Sequence, residues 1–260
     1  MPPRTGIDFT QELRKLGTPA PLCARFKAFL KTRHPGNQER IYHGLAHTLE
    51  VAGMTAHMLH RWPKVPSERK VLLILAAALH DLDPDREPGT PARVEATLSY
   101  MRSDDEARDI LAAFCDRFHF TPGQISALIM ATDFSEHAGQ MASKLKAFEK
   151  AHRYHFPDDP WVSEWGRRLA YWDQIGTYLH VSPEEARKRV AGLGREMRSA
   201  GIWRSLPESG LRGKSQRFMK RLRRDKLFNY LDKSDQKHFD RMLDSFDAKK
   251  KAPRSKGRRA

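Results

Sequence analysis

The stretch that decides the fold is Ser67-Glu68-Arg69-Lys70-Val71-Leu72-Leu73-Ile74-Leu75-Ala76-Ala77-Ala78-Leu79-His80-Asp81. Val71 to Leu79 is an unbroken apolar run of nine residues. A membrane crossing needs about 20 such residues, so the run reads as a buried helix of a water-soluble core, with Ser67 as its expected cap. A helix apolar on every side belongs at the centre of its domain. This one ends in a histidine and an aspartate, and so delivers a neutral ligand and an anionic one to the rim of that core.

Outward from this run the chain reads as helix after helix. Leu22, Cys23, Phe26, Phe29 and Leu30 follow helical spacing, predicting an amphipathic helix over about 21–32. A second helix is expected from about Gly44 to Trp62, ending before Pro63. Pro84, Pro88 and Gly89 mark a loop after the central helix. Thr90-Pro91 reads as an N-cap with a first-turn proline, opening a helix to about Met101. Asp104 or Asp105 starts the next, to about Phe118, and Thr121-Pro122 another, to about Thr132. Apolar helical patterns follow near 142–154 and 161–179, and Ser182-Pro183-Glu184-Glu185 is a capping box that opens a helix to about Ser199. Pro207, Gly210 and Gly213 suggest a break, after which Ser215 to Tyr230 and Ser234 to Phe246 are amphipathic. No segment alternates as a strand does, and no internal repeat is found. The expected fold class is all-α: a main domain over 1–201, a basic helical appendage over 202–247 and a disordered tail over 248–260.

The 260 residues are 39% apolar and 30% charged, a balance that excludes collagen-like and wholly disordered chains. No apolar segment follows Met1-Pro2-Pro3-Arg4-Thr5, so no secretory signal is expected. Two cysteines, Cys23 and Cys115, are too few for a disulfide framework and read as buried thiols. The expectation is a cytoplasmic protein with no membrane partner.

The net charge of +15 is uneven. From Arg187 to Ala260 there are 24 Lys+Arg against 8 Asp+Glu, net +16, whereas the preceding 186 residues hold 23 basic and 24 acidic groups, net −1. A basic third of this kind suits a polyanion, so nucleic acid enters as a further partner. The last thirteen residues carry seven Lys+Arg and no large apolar side chain, too little to offset the entropy of ordering. The C-terminal apolar positions Leu222, Leu227, Leu231, Phe239, Met242 and Phe246 offer a face for a partner or, more commonly, for the chain's own core.

Four short motifs can carry chemistry. Tyr42-His43-Gly44-Leu45-Ala46-His47 puts two histidines four apart, on one helix face. His80-Asp81 ends the central helix, Thr132-Asp133 with His137 follows another apolar helix, and Asp173 lies within Ala170 to Ile175. With 12 His in the chain, any one of these motifs is a chance event; their weight lies in occurring together, each attached to an apolar helical segment. The lone histidines His57, His60, His119, His152, His155, His180 and His238 read instead as solvated or hydrogen-bonded side chains.

This ordered set resembles the HD-domain phosphohydrolase superfamily, near its cyclic-nucleotide phosphodiesterase branch and the small bacterial HD proteins. The resemblance spans about 40–179. It implies an HD-type helical fold and a metal-dependent phosphohydrolase, cleaving a phosphodiester of a nucleotide (a cyclic one among them) by metal-activated hydroxide. By it, His47, His80, Asp81 and Asp173 are metal ligands for one or two divalent ions (Zn, Mn, Fe or Mg), with Asp81 bridging if there are two. His43 matches the general acid. Glu95 and Thr132 match positions that hold water near the metal, and Asp133 and His137 a supporting motif. The chain departs from the cyclic-nucleotide enzymes at Pro84, where they carry a further histidine. The alternative expectation is a nucleic-acid-binding protein that uses its basic C-terminal helices, with the helical core structural or regulatory.

Overall fold

The computed structural model describes residues 8–34, 44–86, 93–132, 146, 149–150, 159–179, 181–199 and 208–248. Among them every regular element is helical, and the chain is all-α. In chain order these are α1 (Phe9–Lys15), α2 (Ala20–Arg33), α3 (Leu45–Leu59), α4 (Ser67–Leu79), α5 (Val94–Ser103), α6 (Asp105–Phe118), α7 (Pro122–Thr132), α8 (Pro160–Leu179), α9 (Pro183–Ser199), α10 (Glu208–Arg224) and α11 (Lys233–Ala248), with a 3-10 turn at Lys226–Tyr230. None is long and apolar enough to cross a membrane.

Local chemistry sets most of these boundaries. The Asp104 carboxylate caps α6 by accepting from Ala107 N at 2.8 Å. Thr121 and Gln124 form a reciprocal box at the start of α7: Gln124 N donates to Thr121 Oγ1 and Thr121 N donates to Gln124 Oε1. Ser182 Oγ accepts from Glu185 N to open α9. Asp159 accepts from Trp161 N ahead of α8 and also receives bonds from Arg69 of α4 and Gln124 of α7, so one carboxylate joins three helices.

Several expectations are corrected. Ser67 is not the cap of α4; Pro66 holds that position and makes no side-chain capping bond. The helix expected from Thr90-Pro91 starts at Val94 behind Arg93, and Thr90 and Pro91 lie outside the described residues. Gly210 and Gly213 do not break the chain but lie inside α10, which begins at Glu208 rather than Ser215. One glycine in an exposed helix costs only about 1 kcal/mol relative to alanine, which the neighbouring turns of α10 absorb. The segment expected to be helical near 142–154 lies outside the described residues except at 146 and 149–150, and the tail beyond Ala248 lies outside them altogether. Helix α1 has no counterpart among the expected elements.

Every residue of α4 from Val71 to Leu79 is buried. It packs on α3 and α7; α8 lies along α7 and also touches α3 and α4. At Gly166, α8 lies close against α7: a Cβ there would stand 2.5 Å from Ala131 Cβ. Trp62 clusters with Trp165 and Trp172 of α8, with the Arg168 guanidinium over the rings of Trp62 and Trp165.

The C-terminal helices join this core. Met219, Leu222, Leu227, Phe228, Leu231, Phe239, Met242 and Phe246 are all buried in the same apolar cluster as α4. Tyr171 of α8 donates its hydroxyl to Leu222 O at 3.0 Å, and Val181 O lies 2.9 Å from His238 Nε2. The apolar face of 215–246 is therefore spent on the chain's own body. Cys23 is buried and Cys115 half-buried, both as free thiols.

Candidate metal centre

Three helices bring chemistry-bearing side chains to one buried point. Gly44, in extended conformation, precedes α3 and places His47 in its first turn. His80 caps the C-terminus of α4, with Asp81 in the turn that follows. Asp173 comes from the interior of α8. These positions are 33 and 92 residues apart along the chain, and packing of α3, α4 and α8 closes the distance.

His47 Nε2 is 2.9 Å from Asp173 Oδ1 and 3.6 Å from Asp81 Oδ2. His80 Nε2 is 3.4 Å from each of Asp81 Oδ2 and Asp173 Oδ1. The two imidazole rings meet edge to face with centroids 5.5 Å apart. Ligand atoms of His47, His80 and Asp173 all lie within 4.8 Å of one another. His47 and His80 are nearly inaccessible to solvent, and Asp81 and Asp173 are only slightly more open.

Both imidazoles are oriented through their other nitrogen. His80 Nδ1 lies 2.8 Å from Ala77 O, a carbonyl left over at the end of α4, and donates to it. Thr177, one turn beyond Asp173, has its Oγ1 3.2 Å from His47 Nδ1 and 3.3 Å from Asp173 O. With the hydroxyl proton on Asp173 O, Thr177 accepts from His47 Nδ1–H. In both rings Nε2 is then the nitrogen turned to the carboxylates. Outer partners of this kind fix the tautomer of metal-binding histidines. Arg189 of α9 braces the same end of α8, donating to Thr177 O at 3.1 Å and gripping Glu50 of α3 through both terminal nitrogens.

The electrostatics are those of a site short of positive charge. Burial alone pulls the His80 pKa down, but the charges of Asp81 and Asp173 push it up to about 9. Burial raises Asp173, yet the His80 charge and hydrogen bonds from His47 and His80 hold its carboxyl well below the usual range. In the metal-free chain, a proton on His80 thus offsets part of the carboxylate charge. The C-terminal end of α4 adds partial negative charge at His80. Two imidazole nitrogens and two carboxylates form a borderline N/O donor set, which fits a divalent ion such as Zn²⁺, Mn²⁺, Fe²⁺ or Mg²⁺.

The remaining site residues fare differently. His43, Asp133 and His137 lie outside the described residues. Thr132 is buried at the end of α7 and gives its hydroxyl proton to Ile129 O at 2.7 Å. Glu95 is exposed in the first turn of α5, where it lines a cleft of about 580 Å³ with Asp83, Asp85, Arg93 and Tyr100. Thr177 and Arg189 were missed; for Thr177 the signal was its i+4 spacing from Asp173, which puts both on one face of α8. No protein-family model matches the sequence, and none of the curated proteins compared with it is similar.

Proposed function

We propose that this chain is a metal-dependent phosphohydrolase that cleaves a phosphoester of a nucleotide, with a phosphodiester as the favoured substrate. The observation that carries the reading is the meeting of His47, His80, Asp81 and Asp173, distant in sequence, at one buried point. A divalent ion, when bound, supplies Lewis-acid charge and a water of lowered pKa. His47 and His80 would hold it through Nε2, and Asp81 and Asp173 would balance its charge. Thr177 and Ala77 O keep each Nδ1 proton in place, so neither ring turns away. The apolar packing of α3, α4 and α8 excludes water from the inner side, leaving Asp81 and Asp173 as the more open edge. A phosphoester reaching that edge loses part of its charge repulsion towards an attacking oxygen. By the family resemblance, His43 is the acid that protonates the leaving oxygen.

The test is hydrolysis of bis(p-nitrophenyl) phosphate, p-nitrophenyl phosphate and 2′,3′- and 3′,5′-cyclic nucleotides with added Mn²⁺, Zn²⁺ or Mg²⁺. The expected result is metal-stimulated cleavage, faster on diesters, that is lost in His80→Ala and Asp173→Asn. Equal turnover in those variants removes the proposal.

A second reading, compatible with the first, rests on α10. Arg217, Arg221 and Arg224 are exposed at i, i+4 and i+7, a cationic stripe on one helix face. This stripe suits the phosphates of RNA or DNA. Its test is the salt dependence of oligonucleotide binding: replacing the three arginines by glutamine lowers the slope by about 0.9 for each duplex phosphate that is no longer neutralised.

A further inference from the structure

A second group of ligating side chains stands where the C-terminal region docks on the body. His57 is in the last turn of α3. Asp232 immediately precedes α11, and its carbonyl accepts the helix's first bond, from Gln236 N at 2.8 Å. Asp235 is in the first turn of α11. Ligand atoms of His57, Asp232 and Asp235 lie within 4.8 Å of one another. His57 Nε2 is 3.5 Å from Asp232 Oδ2, while Asp232 Oδ1 is engaged by Arg61 Nη2.

Asp235 is the decisive member. Only 7% of it is exposed, yet among the described residues no donor hydrogen-bonds to its carboxylate and no cation pairs with it. A carboxylate so little exposed is favoured by a cation close to it. Here it points to an imidazole and a second carboxylate. With Arg61 already on the far oxygen of Asp232, the three groups and Arg61 sum to about one negative charge. A divalent cation would offset that charge.

We propose that His57, Asp232 and Asp235 bind a divalent transition-metal ion, Zn²⁺ in particular, separate from the His47–His80–Asp173 centre. One imidazole and two carboxylates are three of the four ligands that Zn²⁺ takes, with water as the fourth. The ion ties the end of α3 to the start of α11 and so fastens the basic C-terminal helices to the body. Its binding is independent of any hydrolytic activity of the core.

The experiment is titration of the metal-free full chain with Zn²⁺ and Co²⁺, followed by calorimetry and by the visible spectrum of bound Co²⁺. Wild type, Asp235→Asn, His57→Gln and Asp173→Asn are compared, with circular dichroism confirming that each is folded. The expected result is that Asp235→Asn and His57→Gln each remove the same binding event, weakening it more than about 100-fold, beyond the effect of an outer partner. Asp173→Asn leaves that event intact. Zn²⁺ raises the melting temperature of Asp173→Asn but not of Asp173→Asn/Asp235→Asn. Should the core centre bind nothing, wild type and Asp173→Asn still show this one event. The proposal is overturned if Asp235→Asn and His57→Gln bind Zn²⁺ with the stoichiometry and affinity of wild type.

Discussion

Thr177 Oγ1 stands 3.2 Å from His47 Nδ1, so a hydroxyl one turn beyond Asp173 decides which nitrogen His47 turns towards Asp173. Thr177→Val keeps the shape and deletes the hydroxyl. The expected outcome is a folded protein whose core centre binds a divalent ion about 10- to 100-fold more weakly. Isothermal titration against wild type measures it. An unchanged affinity shows that the ring is held by packing alone.

Metal binding at the core is expected to depend on pH. The charges of Asp81 and Asp173 overcome burial and raise His80 to about 9 from an ordinary value of 6.5. A raised histidine stabilises the metal-free fold fully below 6.5, and this contribution is lost as pH rises through about 9. A divalent ion must displace that proton. Affinity should therefore climb between pH 6.5 and about 9, with protons released on binding. Calorimetry in buffers of differing ionisation heat reads the proton count directly.

Acid acts on the scaffold through Asp159. Burial alone would raise its pKa, but hydrogen bonds from Arg69 and Gln124 and the Arg69 charge hold it below the ordinary 3.8. Its contribution to stability is present above 3.8 and lost as pH falls through the lower folded-state value. Asp159→Asn keeps an N-cap for α8 but removes the ion pair. Urea denaturation should show the variant less stable at pH 7, with the gap closing below about pH 4.

Gly166→Ala tests how tightly α8 is set against α7. Alanine in a helix normally gains about 0.5–1 kcal/mol over glycine. Here its Cβ would stand 2.5 Å from Ala131 Cβ, which is fixed to backbone and cannot swing aside. Overpacking of this kind costs about 1–3 kcal/mol, so the net change should be destabilising. Ala131→Gly in the same chain should restore most of the loss, as measured by chemical denaturation.

The C-terminal helices belong to the core on energetic grounds as well. Phe239 is fully buried and meets Phe228 edge to face at 5.5 Å. Phe239→Ala should cost roughly 3–5 kcal/mol, with one cooperative transition for the whole chain. A separate low-temperature transition for α10 and α11 would instead mark an independent appendage.

The helices were legible where side chains carry the signal locally. Val71 to Leu79 can only be buried, and Asp104, Thr121 and Ser182 cap the helices that follow them. Glycine misled at Gly210 and Gly213: residues that commonly end a helix lie here inside α10, which packs on α8 and α9. For α1 the signals were Asp8, which accepts from Thr10 N, and the helical spacing of Phe9 and Leu13, but seven residues hold too few periods to stand out. Within the core centre, His47 and His80-Asp81 announce themselves by spacing and by helix end. Thr177 and Arg189 act only through tertiary packing, and the pairing of His57 with Asp232 joins residues 175 apart. Periodicity carries no trace of such a pairing.

The central claim is that His47, His80, Asp81 and Asp173 share a cation. Elemental analysis of metal-reconstituted Asp235→Asn chain, dialysed to remove loose ions, tests it with the second group disabled. The account predicts at least one divalent ion per chain, falling to background when His80→Ala is added. A folded chain that holds no ion above background, or that holds the same amount after His80→Ala, contradicts it.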